Sequence, residues 1–130
     1  MYLLDTNTVI YFFKGDGEVA KNLFQKSPKD IFIPSIVIYE LEVGINKSSN
    51  PYKRKEQLKT FLSQIQAIDF GQKEAKESAK IRAELEKAGT PIGAIDNLIA
   101  GCSRANSLIL ITRNIREFER VKNLQIENWY

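Results

Sequence analysis

The sequence predicts an α/β fold: a mainly parallel central sheet of about four or five strands, flanked by helices in a layered sandwich. Two observations carry this. Short apolar runs alternate with longer amphipathic stretches, which is the pattern of strands joined by crossover helices. The chain has 130 residues, 43% hydrophobic and 27% charged, with no repeat, low-complexity tract or Pro/Gly-rich linker. A single domain over residues 1–130 with one modest core follows.

In chain order, Tyr2-Leu3-Leu4 reads as a first strand ending at Asp5, and Thr6 as the N-cap of a short helix carrying Val9, Ile10 and Phe13. Glu18 to Gln25, with Val19, Leu23 and Phe24, forms the next helix. Ile31-Phe32-Ile33 is a strand closed by Pro34, after which Ser35 caps a helix running toward Gly44. Beyond the polar break Ser48-Ser49-Asn50-Pro51, the spacing of Leu58, Phe61, Leu62 and Ile65 fits one helix face. Ala67-Ile68 is a short strand. Gln72 to Ala88 has high helix propensity, with Gly89 and Pro91 as its stop. Asp96 to Arg104 is a helix, Leu108 to Ile111 a buried strand, and Gln125-Ile126 a late edge strand.

Composition narrows the chemistry. With no histidine, the chain lacks the usual general base for serine and cysteine nucleophiles and the commonest zinc ligand. The single cysteine, Cys102, makes neither an internal disulfide nor a Cys-rich zinc cluster. A net charge of +3 is compatible with a polyanionic partner without requiring one. No apolar run approaches the roughly 18 to 20 residues of a membrane span, and the start lacks the pattern of a signal peptide. A soluble, cytoplasmic protein is expected.

Functional groups in open parallel sheets collect beyond the carboxyl ends of the strands. Asp5 stands at such an end, although Asp also favours turns and helix starts. Glu40 interrupts the mostly apolar run Ser35-Ile36-Val37-Ile38-Tyr39-Glu40-Leu41. On a helix Glu42 points about 200° away from Glu40, so the two should not be equivalent. Asp96 lies near the start of a helix of small and apolar residues, where the helix dipole alone would favour it. The strand Leu108–Ile111 runs into Thr112-Arg113-Asn114 and then Glu117; Asn114 and Glu117 share a face if a helical turn begins there, and Asn114 could equally be an N-cap. Three or four carboxylates meeting in one crevice would repel each other without a cation. Oxygen-only ligands favour Mg²⁺ or Mn²⁺ over Zn²⁺. These residues are spread from position 5 to position 117, so spacing alone does not bring them together.

Four ordered motifs supply the link. Leu3-Leu4-Asp5-Thr6-Asn7, Tyr39-Glu40-Leu41 with Gly44, Pro91-Ile92-Gly93 with Asp96 and Ile99-Ala100, and Thr112-Arg113-Asn114 with Glu117-Phe118 resemble the successive motifs of PIN-domain ribonucleases. Within that family the chain most resembles the VapC toxins of bacterial type II toxin–antitoxin pairs. The likeness extends through Ile81-Arg82-Ala83-Glu84-Leu85 to Ile126-Glu127-Asn128-Trp129. It implies a PIN-like three-layer sandwich, with Asp5, Glu40 and Asp96 as an acidic site for Mg²⁺ or Mn²⁺. Thr6, Asn7 and Thr112 would support it. Many family members have aspartate where this chain has Asn114, so either Asn114 takes a neutral role or Glu117 supplies the fourth charge. The activity implied is metal-dependent endoribonuclease hydrolysis by an activated water, leaving a 5′-phosphate and a 3′-hydroxyl. The partners implied are an RNA substrate, such as the anticodon stem-loop of initiator tRNA, a VapB-like antitoxin, and a second copy in a homodimer.

Two other classes compete. A receiver-type signalling domain also carries carboxylates and Mg²⁺ at strand ends, but it needs an acidic pair after its first strand, where this chain has Asp5-Thr6-Asn7. A PIN-like module that binds RNA without cutting it would be favoured if Asp5 or Asp96 were missing, and both are present. Two basic clusters could hold RNA. Arg113, Arg116, Arg120 and Lys122 flank Asn114, so Arg113 and Arg116 are expected at phosphates. Lys47, Lys53, Arg54, Lys55 and Lys59 are read as a solvated helix face.

Overall fold

A computed structural model describes all residues, Met1–Tyr130. Five strands, β1 (Tyr2–Leu4), β2 (Ile31–Pro34), β3 (Gln66–Ile68), β4 (Ile109–Ile111) and β5 (Ile126–Glu127), form one sheet in the order β3-β2-β1-β4-β5. Every neighbouring pair is parallel. The seven helices are α1 (Thr6–Lys14), α2 (Val19–Phe24), α3 (Ser35–Asn46), α4 (Pro51–Leu62), α5 (Gln72–Lys87), α6 (Ala94–Ala105) and α7 (Ile115–Phe118), with a 3-10 turn at Pro28–Asp30. The expected α/β architecture is therefore the observed one.

The central strands are apolar on both faces because helices cover both. Leu3, Leu4, Ile31, Ile33, Leu110 and Ile111 are buried, whereas the edge strand β3 exposes Gln66 and Ala67. On α3, Val37, Leu41 and Ile45 recur every fourth residue and form its buried stripe. Leu58 and Phe61 of α4 join the same core.

Three helix starts differ from expectation. Asp5, not Thr6, is the N-cap of α1: it has extended backbone, and its Oδ1 accepts from the Thr8 backbone N–H at 2.9 Å. Pro34 takes the N-cap position of α3, since its fixed φ with extended ψ already turns the chain into the helix. Ser35 becomes the first helical residue, and its hydroxyl instead donates to the Ile68 carbonyl at 3.2 Å. The helix also runs through Gly44 to Asn46. Gly93 caps α6, which begins two residues before Asp96 and leaves Asp96 in the first turn. Gly89 ends the α5 region as expected, at φ +75°.

Topology locates the crevice. From β1 the chain moves outward to β2 and β3, then returns to place β4 and β5 on the other side. The carboxyl ends of β1 and β4 thus flank the point where strand order reverses, the usual site of ligands in such sheets.

Candidate active site

Asp5 occupies that point at the end of β1 and is buried. Its backbone N–H donates to the Ile111 carbonyl, and the Thr8 hydroxyl donates to the same carbonyl at 3.1 Å. These bonds lock the ends of β1 and β4 together. Burial pushes the Asp5 carboxyl above its ordinary value; hydrogen bonds from Thr112 and Thr8 oppose the shift, and the nearby Glu40 charge adds to it.

Asp96 reaches the same crevice from the first turn of α6. Its carboxyl is pushed up to about 6, first by burial, then by a hydrogen bond shared with Glu117 and by the charges of Glu117, Asp5 and Glu40. Glu117 is set by α7, where Asn114 Nδ2 donates to its Oε2 at 3.0 Å. Asn114 itself is placed by its backbone N–H, which donates to Thr112 Oγ1 at 3.0 Å. It stands at the N-cap position of α7 but makes no capping bond with its side chain. Glu40 arrives from α3, half-buried, and accepts a hydrogen bond from the Thr6 hydroxyl. Glu42 on the same helix is exposed.

The fold therefore gathers Asp5, Glu40, Asp96 and Glu117 from four different elements, close enough that the neighbouring carboxylates add to the raised proton affinity of Asp5 and Asp96. Thr6, Thr8, Thr112 and Asn114 orient them. No three of the acidic side chains close around a common point; Glu40 is turned to Thr6, and Glu117 to Asn114 and Asp96. Asn7 follows Thr6 on the first turn of α1 and is exposed. A cavity of about 300 Å³ opens next to Glu40, between Ile10 and Phe13 of α1, Leu41 of α3, and Arg54 and Gln57 of α4.

The basic residues separate. Arg113 and Arg116 are exposed, the first just beyond β4 and the second on α7. Arg120 instead donates to the Pro91 carbonyl at 3.0 Å, which ties the end of α7 to the loop preceding Asp96. Cys102 is buried in the core with its thiol pushed up to about 12 by burial, so it offers no nucleophile. Thr8 is the supporting residue that the sequence reading passed over. The Asp5-x-x-Thr8 spacing, N-cap to third helical residue, was its signal.

Comparison with known proteins agrees with this geometry. The PIN domain family profile matches residues 2–124. The chain is 36% identical over 128 residues to the tRNA(fMet)-specific endonuclease VapC of Salmonella typhimurium, covering 98% of this chain and 97% of that protein. It is 39% identical, over the same shares, to ribonuclease VapC2 of Haemophilus influenzae. Among solved structures, VapBC2 from Rickettsia felis bound to a promoter DNA fragment superposes with a TM-score of 0.93 at 38% identity, covering 99% of this chain and 98% of that one. The DNA-bound VapBC of Salmonella typhimurium gives a TM-score of 0.93 at 34% identity, with the same coverage. With the motifs, the sheet order and the acidic crevice in agreement, the chain belongs to the PIN-domain family, in its VapC ribonuclease branch.

Proposed function

We propose that this chain is the endoribonuclease toxin of a type II toxin–antitoxin pair, acting in the cytoplasm and dependent on Mg²⁺ or Mn²⁺. The observation that carries the reading is the meeting of Asp5, Glu40, Asp96 and Glu117 at the switch point of the sheet, in a chain with no histidine. An all-oxygen donor set in which burial and neighbouring carboxylates disfavour the charges of Asp5 and Asp96 fits a hard divalent cation, whose positive charge would offset both. Asp5, Asp96 and Glu40 are the residues that would hold it. When bound, such an ion screens the phosphate and lowers the pKa of water.

The protein's own groups divide the remaining work. Thr8 and Thr112 hold the Asp5 carboxylate, and Thr6 holds Glu40. Glu117, oriented by Asn114, is the carboxylate left to take a proton from the attacking water. In-line attack then leaves a 5′-phosphate and a 3′-hydroxyl. Arg113 and Arg116 are exposed on either side of Asn114 in the chain, and their guanidinium edges suit bidentate phosphate contact.

The name of the Salmonella relative supports initiator tRNA, cut in its anticodon stem-loop, as the substrate. The VapBC complexes among the structural neighbours support a VapB-like antitoxin as the protein partner, and we extend the family likeness to a homodimer. The test is cleavage of total RNA and of purified tRNA with Mg²⁺ or with EDTA, followed by end-mapping. Mg²⁺-dependent cuts bearing 5′-phosphates are expected. Metal-independent cleavage, or ends with cyclic phosphates, would overturn the mechanism.

A further inference from the structure

Arg113 is exposed and follows Thr112 directly, yet it forms none of the ion pairs in the protein. It is held by aromatic rings instead. Its Cζ lies 3.6 Å from the centroid of the Tyr130 ring and 5.6 Å from that of Tyr11. Those two rings meet edge to face, with centroids 4.9 Å apart and planes at 73°, so they form a corner in which the guanidinium rests.

The corner is built from fixed parts. The Tyr130 backbone carbonyl accepts from the Glu18 N–H, and its own N–H donates to Asn128 Oδ1 at 2.9 Å. Its ring lies against Gly17, where a Cβ would come within 2.8 Å of it, and Gly17 has φ +58°. Tyr11 is one helical turn beyond Asn7 on α1. Arg113 directly follows Thr112, which hydrogen-bonds Asp5, so the cluster adjoins the acidic crevice.

We propose that Tyr11, Tyr130 and Arg113 form a stacking platform for one unpaired nucleobase of the RNA, next to the phosphate being cut. The proposal rests on the ribonuclease reading above and adds Tyr11 and Tyr130 to it as positioning residues. A guanidinium is planar, with its N–H donors in the plane. Tyr130 covers one face of that plane. A base laid on the opposite face continues the stack Tyr130–Arg113–base, while Tyr11 and Tyr130 engage part of the guanidinium's in-plane donor edge and the remaining donors face the flanking phosphate. An arginine already held by two rings also loses less side-chain freedom when RNA binds. The same positive charge offsets the repulsion between RNA and the four carboxylates.

The experiment is a binding cycle on the full chain carrying Asp5→Asn, which keeps the RNA intact. The probe is a synthetic stem-loop copying the anticodon arm of initiator tRNA, with each loop base in turn replaced by an abasic residue. Loss of one particular base should weaken binding by roughly 5- to 100-fold, the range for a single stacked base. Adding Arg113→Lys should remove that penalty, because the charge stays and the plane is lost. The slope of affinity against salt should not change with Arg113→Lys. Tyr130→Leu, checked by its melting temperature, should act in the same direction. If Arg113→Lys binds as tightly as arginine, or the abasic penalty is equal in both backgrounds, the platform is refuted. Cleavage of the same stem-loop by the chain with Asp5 intact tests the ribonuclease reading separately. Coupling without cleavage overturns that reading and keeps the platform; cleavage without coupling does the reverse.

Discussion

Replacing Asp96 by asparagine should make the metal-free protein more stable and abolish cleavage. The sign comes from linkage. In the folded chain the Asp96 carboxyl is pushed from 3.8 to about 6, so the native state holds this proton more tightly than the unfolded state. Below pH 3.8 both states are protonated and the site costs nothing. As pH rises through 6 the native state must accept a charge it disfavours, and stability is lost. Fully weighted, that shift is worth about 3 kcal/mol. Asp96 is only half-buried, which brings the figure to about 1.5 kcal/mol. The variant also loses about 0.5 kcal/mol of favourable interaction with the positive end of α6. About 1 kcal/mol remains, which for a chain of 130 residues is about 4 °C in Tm. Thermal melts by circular dichroism in EDTA should show Asp96→Asn above wild type at pH 7.5 and level with it near pH 4. With Mg²⁺ present the order should narrow or reverse, because only the wild-type site gains from binding. A variant that melts below wild type at pH 7.5 in EDTA would refute the claim that burial and the neighbouring carboxylates disfavour the Asp96 charge.

Glu40→Gln should lower RNA cleavage by about 10²- to 10³-fold, while Glu42→Gln leaves it unchanged, because Glu42 is exposed and outside the crevice; equal losses would refute the geometry. Gly101→Ala should destabilise by about 1–3 kcal/mol, read in a urea titration, since the added Cβ would stand 1.8 Å from Ser78 Oγ where α5 crosses α6. Ser78→Ala should be neutral or stabilising in the same titration, because its buried hydroxyl has no hydrogen-bond partner; a loss above about 1 kcal/mol would point to an unrecognised partner. Light scattering at micromolar concentration should give twice the 14.9 kDa chain mass, and a monomer throughout would count against the homodimer.

How much of this was legible in the sequence depended on how far apart the interacting residues lie. Strand ends were readable, because an apolar run followed by a lone polar residue marks both a boundary and an orientation; Asp5 and Thr112 were found in that way. Helix starts were harder where two residues competent to cap stand side by side. Thr6 was favoured over Asp5, but the short Asp5 carboxylate reaches the Thr8 N–H while Thr6 turns outward to Glu40. The i, i+3 spacing of Asn114 and Glu117 was visible, whereas the pairing of Glu117 with Asp96 depends on how α6 and α7 approach the same crevice. Nothing local links Tyr11 to Tyr130. Arg120 looked like a phosphate ligand until its bond to Pro91 gave it a structural task. The helix face of Leu58 and Phe61 was legible from spacing, and both residues are in the core, while Tyr39 stays 60% exposed.

Asp5 concentrates the tension between folding and chemistry, because one side chain both caps α1 and supplies a charge to the crevice. The two tasks separate by substitution. Asparagine caps about as well as aspartate, so Asp5→Asn keeps an oxygen for the Thr8 N–H and removes the buried charge whose proton affinity is raised. It should fold, melt no lower than wild type in EDTA at neutral pH, and cut no RNA. Asp5→Ala removes the charge and the cap together. It should melt below Asp5→Asn by about 4 °C, the equivalent of about 1 kcal/mol for a lost N-cap. Equal melting of the two variants would mean that the bond to Thr8 contributes nothing to stability. Wild-type cleavage by the folded Asp5→Asn protein would remove the acidic crevice from the chemistry, since the side chain there would differ only in its charge.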